Sequence, residues 1–198
     1  MAIILGGLMT KVVSPNFPWL YPIIIGLAVF SFYIFRKLFF LIFIKPSILS
    51  AVVGVAVFAF WIYLIPENPT QSAHFLQNLN EAPLPLELLW LLCRVLGAVI
   101  IIPIAEEFAF RGYFQPRLQL WLEQRGLDQM SAALSLLIVA CAFGLLHANF
   151  LAAFMAGTMY GLAFLQQRRL MDAVVAHVVT NGLLCIYVLT FGYWSYWF

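Results

Sequence analysis

Two adjacent carboxylates, two histidines and an asparagine are the residues of this chain whose types and spacing invite chemistry. Glu106 and Glu107 follow the apolar run Val99–Ala105 and precede Phe108, Ala109, Phe110 and Arg111. On a helix, Glu107 and Arg111 are four positions apart and share a face, which predicts an ion pair. Glu106 points about 100° away, keeps no local partner, and suits general-base work. Phe143 and His147 form Phe-x-x-x-His; His177 and Asn181 form His-x-x-x-Asn. A spacing of four places both side chains of each pair on one helical face. His177, Thr180 and Asn181 thus make a polar strip on an otherwise apolar stretch. Amide hydrolysis needs a base, which a buried carboxylate supplies, and donors aimed at developing negative charge, which an imidazole N–H and an amide N–H supply. The blander readings are carboxylates that snorkel to the membrane interface with Arg111, and histidines that merely brace helices. Convergence is the stronger expectation, because polar groups inside a bilayer must find one another.

The elements that carry these residues must be membrane helices. Of 198 residues, 65% are hydrophobic and 9% are charged, against about 25% charged in a soluble domain. So few charges cannot cover a water-facing surface. The expected architecture is an all-α integral membrane protein of one domain over 1–198, with its motif-bearing core at about 86–190. The net charge of +2 and the scattered basic residues exclude a nucleic-acid partner. Cys93, Cys141 and Cys185 each stand alone in apolar runs and are read as packing residues. Met1–Met9 is apolar but short and lacks a preceding basic region, so it reads as an interfacial stretch or helix entry rather than a secretory signal.

A span needs about 20 apolar residues. Six candidates meet or approach this: Pro18–Phe35, Pro46–Pro66, Leu88–Ala105, Met130–Leu146, Ala148–Gln167 and Ala173–Thr190. Glu67–Pro85 reads as a solvated connection, and Glu106–Gln129 as an amphipathic helix leaving the bilayer. The rings of Tyr193, Trp194, Tyr196, Trp197 and Phe198 are expected at headgroup level. Arg36, Lys37, Lys45, Arg117, Arg125, Arg168 and Arg169 fall in alternate connections, with Lys11 alone on the other side. This bias predicts a multi-pass protein of the cell membrane with both termini facing away from the cytoplasm.

The three motifs, in this order, resemble the CAAX protease and bacteriocin-processing family, also called the Abi family. Its Glu-Glu-x-x-x-Arg is matched by Glu106, Glu107 and Arg111; its Phe-x-x-x-His by Phe143 and His147; its His-x-x-x-Asn by His177 and Asn181. Arg-Gly-Tyr-Phe after the acidic pair and the helix with Gly157 and Gly161 also look like this family, and the Trp-rich end resembles a bacterial branch linked to protein-sorting systems. The resemblance implies an intramembrane endopeptidase acting near the C-terminus or anchor of a membrane-associated protein or peptide. In it Glu106 and His147 activate a water, His177 and Asn181 form the oxyanion hole, and Glu107 and Arg111 hold the first helix in place.

Three rivals remain at this point. Glu106, His147 and His177 could ligate zinc with one open position, although no His-Glu-x-x-His is present; a metal-free site with no cofactor is the preferred reading. A transporter relaying protons through the same residues is the second, opposed by the absence of a sequence repeat. A non-catalytic scaffold is the third. A full helix between the histidines would part them by roughly 20 Å at about 1.5 Å per residue, so a working site requires spans four and five not to be simple crossings. Arg94, about six residues inside its span, is expected to pair with Glu87 or Glu106, or to meet a substrate carboxylate.

Overall fold

The computed structural model describes residues 18–34, 36 and 45–197. Met1–Met9, Lys11, Phe35, Lys37 and Phe198, which entered the expectations above, lie outside the described residues. The described chain is all helix, as its composition requires. Its helices are α1 (Tyr21–Ile34), α2 (Ile48–Leu64), α3 (Pro69–Asn80), α4 (Leu84–Glu123), α5 (Asp128–Leu145), α6 (Phe150–Gln167) and α7 (Leu170–Phe191), followed by a 3₁₀ turn at Trp194–Trp197. Among the described residues, α4, α5 and α7 are long and apolar enough to cross a membrane, and a fourth span results if α2 and α3, separated by a short break, count as one. The protein is an all-α membrane protein.

Two expectations are corrected. Glu67–Pro85 is not a plain loop, since α3 occupies most of it. Asn68 caps that helix by accepting from the Gln71 N–H, and Pro69 opens it, where a missing N–H costs nothing. Ser72, Phe75 and Leu79 turn inward at helical spacing. Nor is Glu106–Gln129 a separate amphipathic helix. It continues α4, which runs through two π-helical segments, Gly97–Ile101 and Phe108–Phe114. The first ends where the Ile102 N–H reaches back to the Gly97 carbonyl, just before Pro103. A proline there lacks a donor and crowds the preceding turn, and a widened π turn absorbs both.

The chain forms two compact units. In the first, comprising 18–36, Glu67–Ile102 and the segment from Gly182, the core gathers Tyr21, Ile25, Phe75, Leu79, Trp90, Cys185, Val188 and Trp197. Trp90 donates from its indole to the Pro18 carbonyl at 2.9 Å. Trp194 stacks on Phe75 at 5.5 Å and Trp197 is buried, so these two rings pack against the core of this unit. Among the described residues, Arg94 pairs with no carboxylate. It donates to the Trp197 carbonyl at 2.7 Å and lies over the rings of Tyr21 and Trp197, 4.7 and 5.5 Å from their centroids. A guanidinium tolerates burial when a carbonyl and two aromatic faces replace its water.

The second unit holds α2, the part of α4 from Pro103, α5, α6 and α7 as far as Asn181. Its core is Val57, Phe143, Ala153, Ala156, Tyr160, Phe164, Ala173 and Ala176. Small residues let the backbones approach, which is how membrane helices gain contact without a hydrophobic driving force. At Gly54 a Cβ would meet the Ala176 carbonyl and lie 2.7 Å from Val179 Cβ. That close passage lets Thr180 donate to the Gly54 carbonyl at 2.9 Å. At the start of α7, buried Asp172 accepts from the Ser47 N–H at 2.6 Å and from the Ser47 and Ser50 hydroxyls at 2.9 and 3.2 Å, tying α7 to α2. Arg169 donates to the Lys45 carbonyl and Arg168 to Gln119, so the connection between α6 and α7 reaches the start of α2 and the end of α4 at one end of this unit.

Gly54→Val forces α2 off α7 and is expected to destabilise by about 1–3 kcal/mol, as overpacking does. Gly26→Ala, with nothing within 4 Å of the new Cβ, should leave stability unchanged. Thermal unfolding of both variants in detergent, followed by tryptophan fluorescence, compares them; equal transitions for the two would refute the close α2–α7 passage.

Candidate active site

The candidate residues all fall in the second unit. Glu106 and Glu107 sit on α4 at the entry to the π segment Phe108–Phe114. One helical step sends their side chains in different directions. Glu107 is 0% exposed and is bound by Arg111, also 0% exposed, at 2.9 Å. Arg111 donates onward to the Gly157 carbonyl of α6 at 2.6 Å. A Cβ at residue 157 would stand 3.2 Å from Phe143 and 3.4 Å from Arg111, so glycine there makes room for the guanidinium. The rings of Phe110, Phe143 and Tyr160 lie 5.7, 5.2 and 5.9 Å from that group. The expected Glu107–Arg111 pair is therefore formed, and it is fully enclosed.

Glu106 takes the other direction and keeps 22% of its side chain accessible. Its Oε2 lies 3.9 Å from His177 Nε2. The opposite ring nitrogen, Nδ1, is 2.9 Å from Glu107 Oε1. The His177 ring thus stands between the two neighbouring glutamates, one on each nitrogen. Tyr160 stacks on it at 4.6 Å and 19°, and Phe143 meets it edge-on at 5.9 Å. Tyr160, absent from the expected site, is therefore part of its construction, together with Gly157, which the family resemblance had marked. Tyr160 carries no signal in the sequence that separates it from ordinary packing.

His147 lies just beyond the end of α5, in the short turn to α6. Its Nδ1 is 2.8 Å from the Phe143 carbonyl, and its ring lies 4.4 Å from the Phe143 ring. The side chain folds back one turn, so the helix that follows does not carry it away. Phe143 touches both imidazoles, and both lie near enough to act electrostatically on the Glu106 carboxylate. This removes the 20 Å separation feared for two full crossings. Asn181 follows His177 by one turn on α7 and is half-buried. Glu106, His147 and His177 are thus brought together, with Asn181 on the adjacent turn.

Zinc would need three protein ligands at about 2.0–2.2 Å. Among the described residues no three His, Cys, Asp or Glu side chains are placed to hold a metal ion. Glu107 is committed to Arg111 and His177, and His147 Nδ1 to a carbonyl.

The family model of Rce1-like type II CAAX prenyl endopeptidases matches residues 88–183, about half of the chain, with every motif residue inside the match. Residues 88–183 belong to this family. No curated protein and no solved structure matches the chain. The match likens this part of the chain to CAAX-type endopeptidases, a family that acts on membrane-associated proteins.

Arg111→Leu leaves the Glu107 charge buried and unpaired, which is expected to cost about 3–5 kcal/mol. Replacing both partners, Glu107→Leu with Arg111→Leu, should recover most of that loss. A double-mutant cycle by thermal unfolding in nanodiscs measures the coupling, and additive effects would mean that the pair is not buried as described.

Proposed function

We propose that the chain is an intramembrane endopeptidase that hydrolyses a peptide bond near the C-terminus or membrane anchor of a membrane-associated protein, without a metal. The observation that carries this reading is the accessible Glu106 carboxylate, 3.9 Å from His177 Nε2 and within electrostatic reach of His147, inside a stretch of CAAX-endopeptidase sequence. In this mechanism Glu106, with His147 orienting, removes a proton from a water. That water's oxygen attacks the carbonyl carbon. His177 and Asn181, one turn apart on α7, stabilise the oxyanion of the tetrahedral intermediate. Glu107 and Arg111 hold the helix that carries the base.

The physical support is preorganisation. Charges and donors fixed in a poorly solvated site act more strongly than in water and need no reorganisation as charge develops. The rings of Phe143 and Tyr160 against His177 provide such a setting. A scaffold would leave the accessible position of Glu106 without a task. The cell membrane is the proposed location.

Two fluorogenic peptides serve as probes, one ending in a prenylated Cys-aliphatic-aliphatic-X and one unprenylated twin; preference between them reports whether the substrate is lipidated. Glu106→Gln keeps the shape but removes the base, so turnover should vanish with folding intact. Asn181→Ala should lower kcat roughly 10²–10³-fold, as loss of one oxyanion donor does, with KM nearly unchanged. Exhaustive chelation should leave activity intact; activity that disappears on chelation and returns stoichiometrically with zinc would make this a metalloprotease.

A further inference from the structure

The two nitrogens of His177 are not equivalent. Nδ1 contacts Glu107 Oε1 at 2.9 Å, whereas Nε2 faces Glu106 Oε2 at 3.9 Å. Glu107 is gripped by Arg111 Nη1 at both oxygens, 3.0 Å from Oε1 and 2.9 Å from Oε2. A carboxylate held so by a guanidinium is ionised, and an ionised carboxylate only accepts. The proton of the Glu107–His177 hydrogen bond therefore belongs to Nδ1. A neutral imidazole has one N–H. With that N–H committed to Glu107, Nε2 presents a lone pair, and it becomes a donor only when the ring gains a second proton. The stack on Tyr160 and the edge contact with Phe143 oppose the ring flip that would exchange the two nitrogens.

We infer that His177 is a proton carrier loaded by Glu106 during turnover, and that Glu107 is the positioning residue that imposes this by fixing the Nδ1–H tautomer. The inference rests on the proposed hydrolysis. As the water oxygen bonds to the carbonyl carbon, one water proton passes to Glu106 and the C=O π pair moves to oxygen. Glu106 hands that proton to Nε2 and returns to a carboxylate; 3.9 Å is closed by a small side-chain shift or one bridging water. The ring, now N–H at both nitrogens, donates to the oxyanion. The Nε2 proton then moves to the amide nitrogen as the C–N bond breaks and its electron pair stays on nitrogen. The C=O bond re-forms. One water proton ends on the amine and the other on the new carboxyl group, and His177 returns to its Nδ1–H form. Oxyanion stabilisation at His177 is thereby timed: the donor appears when the negative charge does.

The test uses the whole protein, ¹⁵N-labelled at histidine and held in nanodiscs, with the fluorogenic peptides as substrates. Imidazole nitrogen spectra, assigned by loss of the signal in His177→Gln, should show the wild-type ring protonated at Nδ1 and bare at Nε2. Glu107→Gln should move that proton distribution toward Nε2, a change that a merely structural glutamate would not cause. His177→Gln retains an amide N–H donor but cannot carry a proton, so its kcat should fall as far as that of His177→Ala. A wild-type ring protonated at Nε2 at rest overturns the inference, as does His177→Gln turning over within about tenfold of wild type, the behaviour of a fixed donor. If Glu107→Gln fails to fold, the wild-type spectrum and His177→Gln still decide. Turnover surviving in Glu106→Gln, or no cleavage of either peptide by the wild type, removes the hydrolytic reading itself, and the relay with it.

Discussion

A buried ion pair anchors the second unit. Glu107 and Arg111 are both 0% exposed, and each charge left alone there would cost several kcal/mol. The protein meets that cost with geometry. Arg111 is shared between Glu107 and the Gly157 carbonyl, and three aromatic rings surround it. Glu107 Oε1 also lies within hydrogen-bond distance of His177 Nδ1. Since these partners come from α4, α6 and α7, the pair positions three helices at once. Residue 157 must be glycine-sized for the same reason.

From that anchor the two adjacent glutamates acquire different lives. The step of about 100° between neighbours on a helix turns one carboxylate inward to a guanidinium and the other toward an accessible space beside His177 Nε2. Their chemistry diverges although their sequence environment is nearly the same. The imidazole between them links the anchor to the reactive side, so the rigidity of the pair is passed on to the ring that faces Glu106. A site so arranged needs little rearrangement as charge develops.

The sequence carried the chemistry more legibly than the architecture. Glu107 with Arg111 was readable because an i, i+4 relation is a property of any helix. All-α membrane class was readable because 9% charged residues cannot solvate a surface. The α3 helix was missed because Asn, Ser and Pro favour turns on average, while the cap of Asn68 and the burial of Phe75 against Trp90, at 5.5 Å, outweigh that preference. The partner of Arg94 was missed because a backbone carbonyl leaves no trace in a side-chain pattern.

What the sequence determined by itself, then, is which residues share a helical face: Glu107 with Arg111, Phe143 with His147, His177 with Asn181. These are local relations, set by helical periodicity. What only the tertiary structure decided is who meets whom across helices. The 70 positions that separate Glu107 from His177 carry no periodic relation, so their hydrogen bond depends on where α4 and α7 pack. The same holds for Tyr160 stacked on His177 and for His147 folded back onto Phe143. Contacts of this kind are selected by the burial of whole helix faces, which no local spacing encodes.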